Sequence, residues 1–350
     1  MVEQSNTKSF EFGIWGYAFG YFACYVPFAA LTKSISKGWL DKLDGQGIPG
    51  LAIVPLSTSV SLIAMLAFIT IMGWWKYAGR KQVLGVSIPF PTIWTFLSGV
   101  CTGGIIVTTV LAYTFSSSIV FMMLLMRGGL LIMSPVIDIL TGRHVRWFSM
   151  AALLLSLGAL IAAFVGKSSF SLQTIAVIDI SLYLGCYFVR LQFMSRLAKS
   201  EDLNQRTRYF VEEQISATPT LLFILLVLAV VNQGEQMQQI RWGFVHLFDS
   251  PVVVETVLLG ILSQGTGIFG SLIFLDKRET AYCVPVNRSS SIIAGVLAMV
   301  ALWQIFPDKA SAPSTYNLAG AGFIICAILF LTIPPLMEKR RMTSQPAGGS

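Results

Sequence analysis

Residues 117–166 read SSIVFMMLLMRGGLLIMSPVIDILTGRHVRWFSMAALLLSLGALIAAFVG. Two apolar runs, 117–139 and 146–166, flank the short basic turn Thr141–Val145. Each run matches the roughly 20 residues that an α-helix needs to cross a bilayer. In hydrocarbon every backbone N–H and C=O must be satisfied within the segment, so runs of this length are read as helices. The turn is short enough to force an antiparallel return. Arg127 stands by itself in the middle of the first run. A guanidinium at that depth costs about 2.5–3.5 kcal/mol on insertion scales. It marks a point that water, a carboxylate or a ligand must reach.

The rest of the chain repeats this pattern. Spanning segments are expected at 11–32, 50–75, 92–114, 117–139 and 146–166, then at 173–194, 209–231, 252–274, 280–305 and 315–336. Of the 350 residues, 55% are hydrophobic and 12% charged, against about 25% charged in soluble domains. That deficit leaves too little charge to cover a water-facing surface. The expected fold is an all-α integral membrane protein. Links around Phe115–Ser116, Thr141–Val145, Lys167–Ser171 and Asp276–Glu279 are short, so their flanking helices are antiparallel. The link Asn232–Pro251 is longest; its Trp242, Phe244, Phe248, Arg241 and His246 suit either a helix lying in the interface or an ordinary loop.

The net charge of +7 does not point to nucleic acid, because the cations sit in short loops between apolar runs. Alternate loops hold fifteen Lys and Arg on one side and six on the other, with Arg127, Arg190 and Arg288 inside helices. Cytoplasmic loops carry the excess, which puts both termini in the cytoplasm and requires an even number of spans. A bacterial inner membrane and a eukaryotic organelle are equally compatible. Glu3 and Glu11 before or at the first apolar run, without a small-residue cleavage site, make that run a membrane helix. Cys24, Cys101, Cys186, Cys283 and Cys326 are scattered through apolar runs, as packing residues are.

Adding 161 to a residue number takes Gly99 to Gly260, Gly104 to Gly265 and Arg127 to Arg288; it also pairs Thr102 with Ser263, Tyr113 with Phe274 and Phe121 with Tyr282. The chain thus divides into repeats at 1–169 and 170–338, followed by a basic, disordered cytoplasmic tail at 339–350. Five helices per repeat is an odd number, so the second repeat enters the membrane from the opposite side. Inverted repeats of this kind are a carrier architecture, with the site near the midplane between them.

Ten helices as five plus five, both ends inside, resemble the drug/metabolite transporter superfamily. Ala112–Ala163 resembles that family's third-to-fifth-helix pattern: a small-residue turn, a helix with Pro135, a basic turn, then a Gly/Ala-rich helix. Leu275–Leu331 resembles the matching part of its second half. Asn287-Arg288 looks like the Asn-Lys pair with which the nucleotide-sugar branch faces its substrate. Counting back from Pro219, Glu213 and Gln214 stand where that branch has two Asn, and Val211 and Glu212 where it has Phe and Tyr. This departure gives the interior negative charge.

Guanidinium forks suit carboxylates and phosphates, so Arg127 and Arg288 are candidates to hold an anionic group. Asn287, Gln264, Tyr183, Tyr21, Glu213 and Gln214 are candidate substrate contacts. Tyr21 belongs to a helical stripe with Tyr17 and Tyr25. Glu212 and Glu213 are adjacent, so at most one faces a given cavity. With Asp179 they are the candidate proton carriers. Asp179, Tyr183, Tyr187 and Arg190 share one stripe, with Arg190 reaching the interface. Asp138 is expected to meet Arg143 or Arg146. The glycines are expected to let helices pack closely.

Only two histidines occur, His144 and His246, and there is no metal-ligand spacing, nucleophile elbow or Walker loop. These features point away from an enzyme and imply no cofactor. The expectation is a secondary carrier, monomeric or homodimeric, for a small anionic metabolite such as a phosphate ester, nucleotide or nucleotide-sugar. The alternative is a proton-coupled exporter of amino acids or drug-like amines.

Overall fold

The structure is a computed structural model that describes residues 13–83, 85–112, 119–164, 174–199, 202–310, 312 and 315–344. Expectations resting on Glu3, Lys8, Glu11, Tyr113, Phe115, Ser116, Phe121, Lys167–Ser171, the residues 345–350 and the side chains of Lys339, Arg340 and Arg341 lie outside it.

Long apolar runs become long helices: α1 (Ile14–Ser36), α2 (Gly50–Ile71), α3 (Ile93–Ala112), α4 (Ile119–Leu140), α5 (Trp147–Phe164), α6 (Thr174–Leu197) and α7 (Leu203–Val231). After the short α8 (Gly234–Val245) come α9 (Val253–Phe274), α10 (Thr280–Ile305) and α11 (Thr315–Ser344). Among the described residues, α1, α2, α6, α7, α9 and α10 are long and apolar enough to cross a membrane. At 1.5 Å per residue the 22 residues of α2 extend about 33 Å, a bilayer's hydrocarbon thickness. The protein is mostly helical, membrane-embedded and multi-pass.

One feature departs from the sequence reading, and a second decides between two alternatives it left open. First, the stretch between α2 and α3 is not plain loop: β1 (Arg80–Val83) pairs antiparallel with β2 (Val86–Pro89), turning at Gly85 with φ 81°. This hairpin qualifies the all-α expectation. Second, the Asn232–Pro251 link contains α8, 12 residues long and too short to span. It packs against α2 and α7. Asn232 ends α7 in the left-handed conformation (φ 51°), and its N–H bonds Leu228 O.

Burial is inside-out relative to a soluble protein. Phe19, Ile71, Ile139, Val230 and Val254 are exposed on the outer surface. Glu213, Asp138, Arg190, Arg288 and Asn287 are buried. Water as the surrounding solvent would penalise both distributions, whereas lipid favours the first and drives the second to find partners within the bundle.

Helix pairing organises the interior. α1 lies against α9 and α10, and α6 against α3 and α4; α2 lies against α9, and α3 against α7. α4 contacts α5, and α10 contacts α11. α2–α7, α4–α10 and α5–α11 also pack together. Close approaches occur where small residues stand. A Cβ on Gly104 would lie 3.0 Å from Cys186 Sγ, and one on Gly265 2.5 Å from Cys24 Sγ. The first apposition joins α3 to α6, the second α9 to α1. Pro27, Pro55, Pro135, Pro219 and Pro285 lie within α1, α2, α4, α7 and α10. Next to one of them, the Ser134 hydroxyl donates to Leu131 O at 2.8 Å, the carbonyl that Pro135 cannot serve.

Loop contacts sort into two ends. At one end Arg146 pairs with Glu279 (2.8 Å), Arg143 donates to the carbonyls of Lys277, Ser195 and Lys199, and Lys199 Nζ donates to Arg278 O. At the other, Lys42 pairs with Glu255 and Lys309 donates to Trp39 O. Asp138 corrects an expectation. Its carboxylate accepts from the backbone N–H groups of Thr280 (2.8 Å) and Ala281 (2.6 Å), not from Arg143 or Arg146. These are free N–H groups of the first turn of α10, where the helix dipole also favours an anion.

Candidate functional site

The four helices α1, α4, α6 and α10 bring two arginines and four tyrosines into one cluster. From α4, Arg127 Nη2 donates to Tyr25 Oη of α1 at 3.5 Å. From α10, Arg288 Nη2 donates to Tyr187 Oη of α6 at 2.9 Å. One turn before each acceptor lies a second tyrosine. Tyr21 stacks on Tyr25 with centroids 5.5 Å apart, and Tyr183 meets Tyr187 edge-on at 4.9 Å. The helices that carry the two halves pack together: α10 lies against α1 and α4, and α4 against α6. The same motif therefore occurs twice. Arg288 stands 161 positions after Arg127, and Tyr183 and Tyr187 stand 162 after Tyr21 and Tyr25.

The two copies differ in access. Arg288 is buried, its Nε has no hydrogen-bond partner, and its guanidinium lies over the Tyr187 ring at 5.4 Å. Among the described residues no carboxylate forms an ion pair with it. Arg127 is half-buried. Buried Asn287 and Tyr21 meet at Gly270, whose Cβ would lie 3.4 Å from Asn287 Nδ2 and 3.3 Å from the Tyr21 ring. Gln264 is buried on α9, and Ser289 Oγ, next to Arg288, is buried without a partner.

A second cluster neutralises Glu213. Arg190 donates from Nε to Glu213 Oε1 at 2.8 Å and from Nη2 to Oε2 at 3.2 Å, a two-pronged grip. Ser98 (2.6 Å) and Thr102 (3.2 Å) of α3 also donate to Oε1. Tyr209 donates to Ser98, and Ser271 of α9 accepts from Arg190 and from Gln214. The side chains of Arg190 and Glu213 are 6% and 0% exposed. This overturns the expectation that Arg190 reaches the interface, because a fully buried carboxylate on α7 makes the interior the better place for its charge. Glu213 and Gln214 are held in this network rather than in the Arg–Tyr cluster.

Glu212 points the other way, as adjacent helical positions must. It accepts from Arg208 Nε (2.7 Å), the N–H groups of Gly79 and Thr92, and Thr95 Oγ1. It pins α7 to the turn on either side of the β1–β2 hairpin. Asp179 behaves differently again. It lies one turn before Tyr183, buried, and its Oδ2 has no partner. Outside the spans, Glu279 is also buried. Burial alone would raise its pKa, but the hydrogen bonds from Arg146 and Ser149 outweigh that and hold it below the ordinary value of 4.5.

Arg127, Arg288, Tyr21 and Tyr183 thus come together, with Tyr25 and Tyr187 as partners for which the sequence suggested no arginine contact. These interior charges and the apolar exterior define a helical membrane protein with a polar core. Solved structures share its fold. One, described only as "Crystal structure of protein", aligns with a TM-score of 0.56 at 13% identity over 94% of this chain and 98% of its own. At that identity the likeness is one of fold. No family model and no curated protein matches the sequence.

Proposed function

We propose that the chain is a secondary carrier of the drug/metabolite transporter type, with ten spans in two inverted five-helix repeats, and that it moves a small anionic metabolite by alternating access. The observation that carries this reading is the duplicated Arg–Tyr cluster, with Arg288 buried, incompletely bonded and without a carboxylate. A guanidinium in that setting is stabilised by an incoming anion. The repeat is supported by the packing. Exchanging α1 with α6, α2 with α7, α3 with α9, α4 with α10 and α5 with α11 turns the contacts α1–α9, α1–α10, α2–α9 and α4–α5 into α6–α3, α6–α4, α7–α3 and α10–α11, all of which occur. It also turns the Gly104–Cys186 apposition into Gly265–Cys24. The excess of positive charge in alternate loops supports a cytoplasmic position for both termini.

Uptake by proteoliposomes of a panel of carboxylate and phosphate metabolites tests the function. Anion uptake should be saturable and fall about tenfold or more in Arg288→Ala, matching loss of a hydrogen bond to a charged group. Unchanged uptake in that variant would refute the role of Arg288.

The amine reading drew on Glu212 and Glu213, both of which are engaged by arginines. Proton coupling keeps one specific support, the partnerless oxygen of buried Asp179, a carboxylate available to bind and release a proton during the cycle. If so, Asp179→Asn abolishes the dependence of uptake on a pH gradient; a gradient dependence equal to the parent's in that variant rules Asp179 out.

A further inference from the structure

The end of α7 and one face of α8 enclose a cleft that shares no residue with the Arg–Tyr cluster or the Arg190–Glu213 network. α8 lies at the end of the bundle that holds Lys42 and Glu255. A Cβ on Gly243 would run into the carbonyl of Ala52 in the first turn of α2, and Leu247, just beyond α8, packs with Ile35, Leu43 and Val252. Gln238, Arg241, Trp242 and Val245 stand at i, i+3, i+4 and i+7, one stripe of α8. With Asn232 and His246 they line a cleft of about 320 Å³ that opens to the surface. Small-ligand sites occupy about 300–1,000 Å³. The lining has two chemistries. Arg241 is exposed, and among the described residues no carboxylate pairs with it. Asn232 Oδ1 is buried and accepts no hydrogen bond, a cost that a donor brought by a ligand removes. Asn232 also closes α7, where the negative end of the helix dipole favours a cation.

We propose that this cleft binds the headgroup of phosphatidylethanolamine, with the phosphate on Arg241 and the primary ammonium on Asn232 Oδ1. A guanidinium suits the phosphate. An ammonium is the better partner for the buried carbonyl than a hydroxyl, because a charged donor makes the stronger hydrogen bond and the α7 terminus favours its charge. The trimethylated headgroup of phosphatidylcholine has no N–H to donate. Trp242 and Val245 give the cleft an apolar side for the lipid beyond its phosphate, and tryptophan is enriched at headgroup level in membrane proteins. The proposal needs the membrane-embedded bundle and is independent of the carrier reading.

The test is lipid binding to the purified, delipidated protein in detergent. Dioleoyl phosphatidylethanolamine, phosphatidylcholine and phosphatidylglycerol are titrated separately, and the first bound lipid is counted by native mass spectrometry. Phosphatidylethanolamine should bind about tenfold more tightly than phosphatidylcholine, matching one hydrogen bond to a charged group. Arg241→Ala should weaken both by about tenfold, because both carry the phosphate. Asn232→Gly keeps the left-handed turn and loses the carbonyl. It should bring phosphatidylethanolamine down to the affinity of phosphatidylcholine and leave phosphatidylcholine within about threefold of the parent. Lys42→Ala removes a cation at the same end but outside the cleft, and should bind as the parent does. The unliganded melting temperature of every variant checks that it folds. Equal affinity for the ethanolamine and choline headgroups overturns the proposal. Phosphatidylglycerol binding as tightly as phosphatidylethanolamine overturns it too, since the site would then read anionic charge alone. Unchanged phosphatidylethanolamine binding in folded Arg241→Ala or Asn232→Gly, or a loss in Lys42→Ala as large as in Arg241→Ala, has the same consequence.

Discussion

Replacing Glu213 by Gln should destabilise the protein more than almost any other single change, and the structure says by how much. The parent carboxylate takes four hydrogen bonds, two from Arg190 and one each from Ser98 and Thr102. Gln is nearly isosteric and keeps one oxygen for Ser98. Its amide nitrogen, however, replaces Oε2 and faces Arg190 Nη2, so the guanidinium keeps a neutral amide oxygen and Ser271 but loses its counter-charge. Removing one partner of a buried pair costs about 3–5 kcal/mol, because the remaining charge is uncompensated in a low dielectric. Arg190→Met should cost a similar amount. The double variant Arg190→Met/Glu213→Gln removes both charges and leaves a packing change, so it should lie within about 1.5 kcal/mol of the parent. Stability is read from reversible unfolding in mixed micelles, with all four proteins compared under one condition as a double-mutant cycle. The cycle isolates the pair from whatever each substitution does elsewhere. A cost below about 1 kcal/mol for either single variant, or a double variant as unstable as the two singles added together, would refute the claim that this pair is a mutually dependent unit.

Asp138→Asn should cost about 1–2 kcal/mol, since the amide keeps a weaker cap on α10 but loses the charge that the helix dipole favours; thermal unfolding measures it. Gly243→Ala should free α8 from α2, because the new methyl would run into the Ala52 carbonyl; faster amide exchange confined to 234–245 is the expected signature. Stability should fall on acidification where Glu279 protonates. Its folded pKa lies below its ordinary 4.5, so its contribution is present above that value and disappears as pH drops through the lower, folded one. Melting curves between pH 6 and 3 should therefore converge for the parent and Glu279→Gln at the acid end; a constant gap at every pH excludes this linkage.

The membrane character of the chain, nearly all of its long helices and the position of Arg127 and Arg288 within them were legible in the residues alone. Apolar length and isolated charge are local signals. The aromatic partners were hidden by a slip of one position. The offset of 161 aligns α3 and α4 with α9 and α10, but α1 aligns with α6 at 162. On a helix one residue is about 100° of rotation, so at the wrong offset Tyr21, Cys24 and Tyr25 match nothing on α6. At the right one they match Tyr183, Cys186 and Tyr187. Asp138 was misread for a different reason. Arg143 and Arg146 are close in sequence, but the turn sends them outward to the Lys277 carbonyl and to Glu279, and the bare N–H groups of α10 arrive instead. The Arg190–Glu213 pair was visible as two costly residues without an address. Which buried charge meets which is a property of helix packing, and 23 positions of sequence do not encode it.

The prolines in α1, α4 and α10 have a mechanical consequence. A proline within a helix removes one rung of the hydrogen-bond ladder and leaves the carbonyl four residues earlier to be served otherwise or not at all. In α10 that joint is Pro285, three residues ahead of Arg288; in α1 it is Pro27, two beyond Tyr25. These rods are therefore most pliable beside the groups that grip. A bend there would move a guanidinium or a phenol relative to the ends of the same helix, so the grip can loosen without any element unwinding.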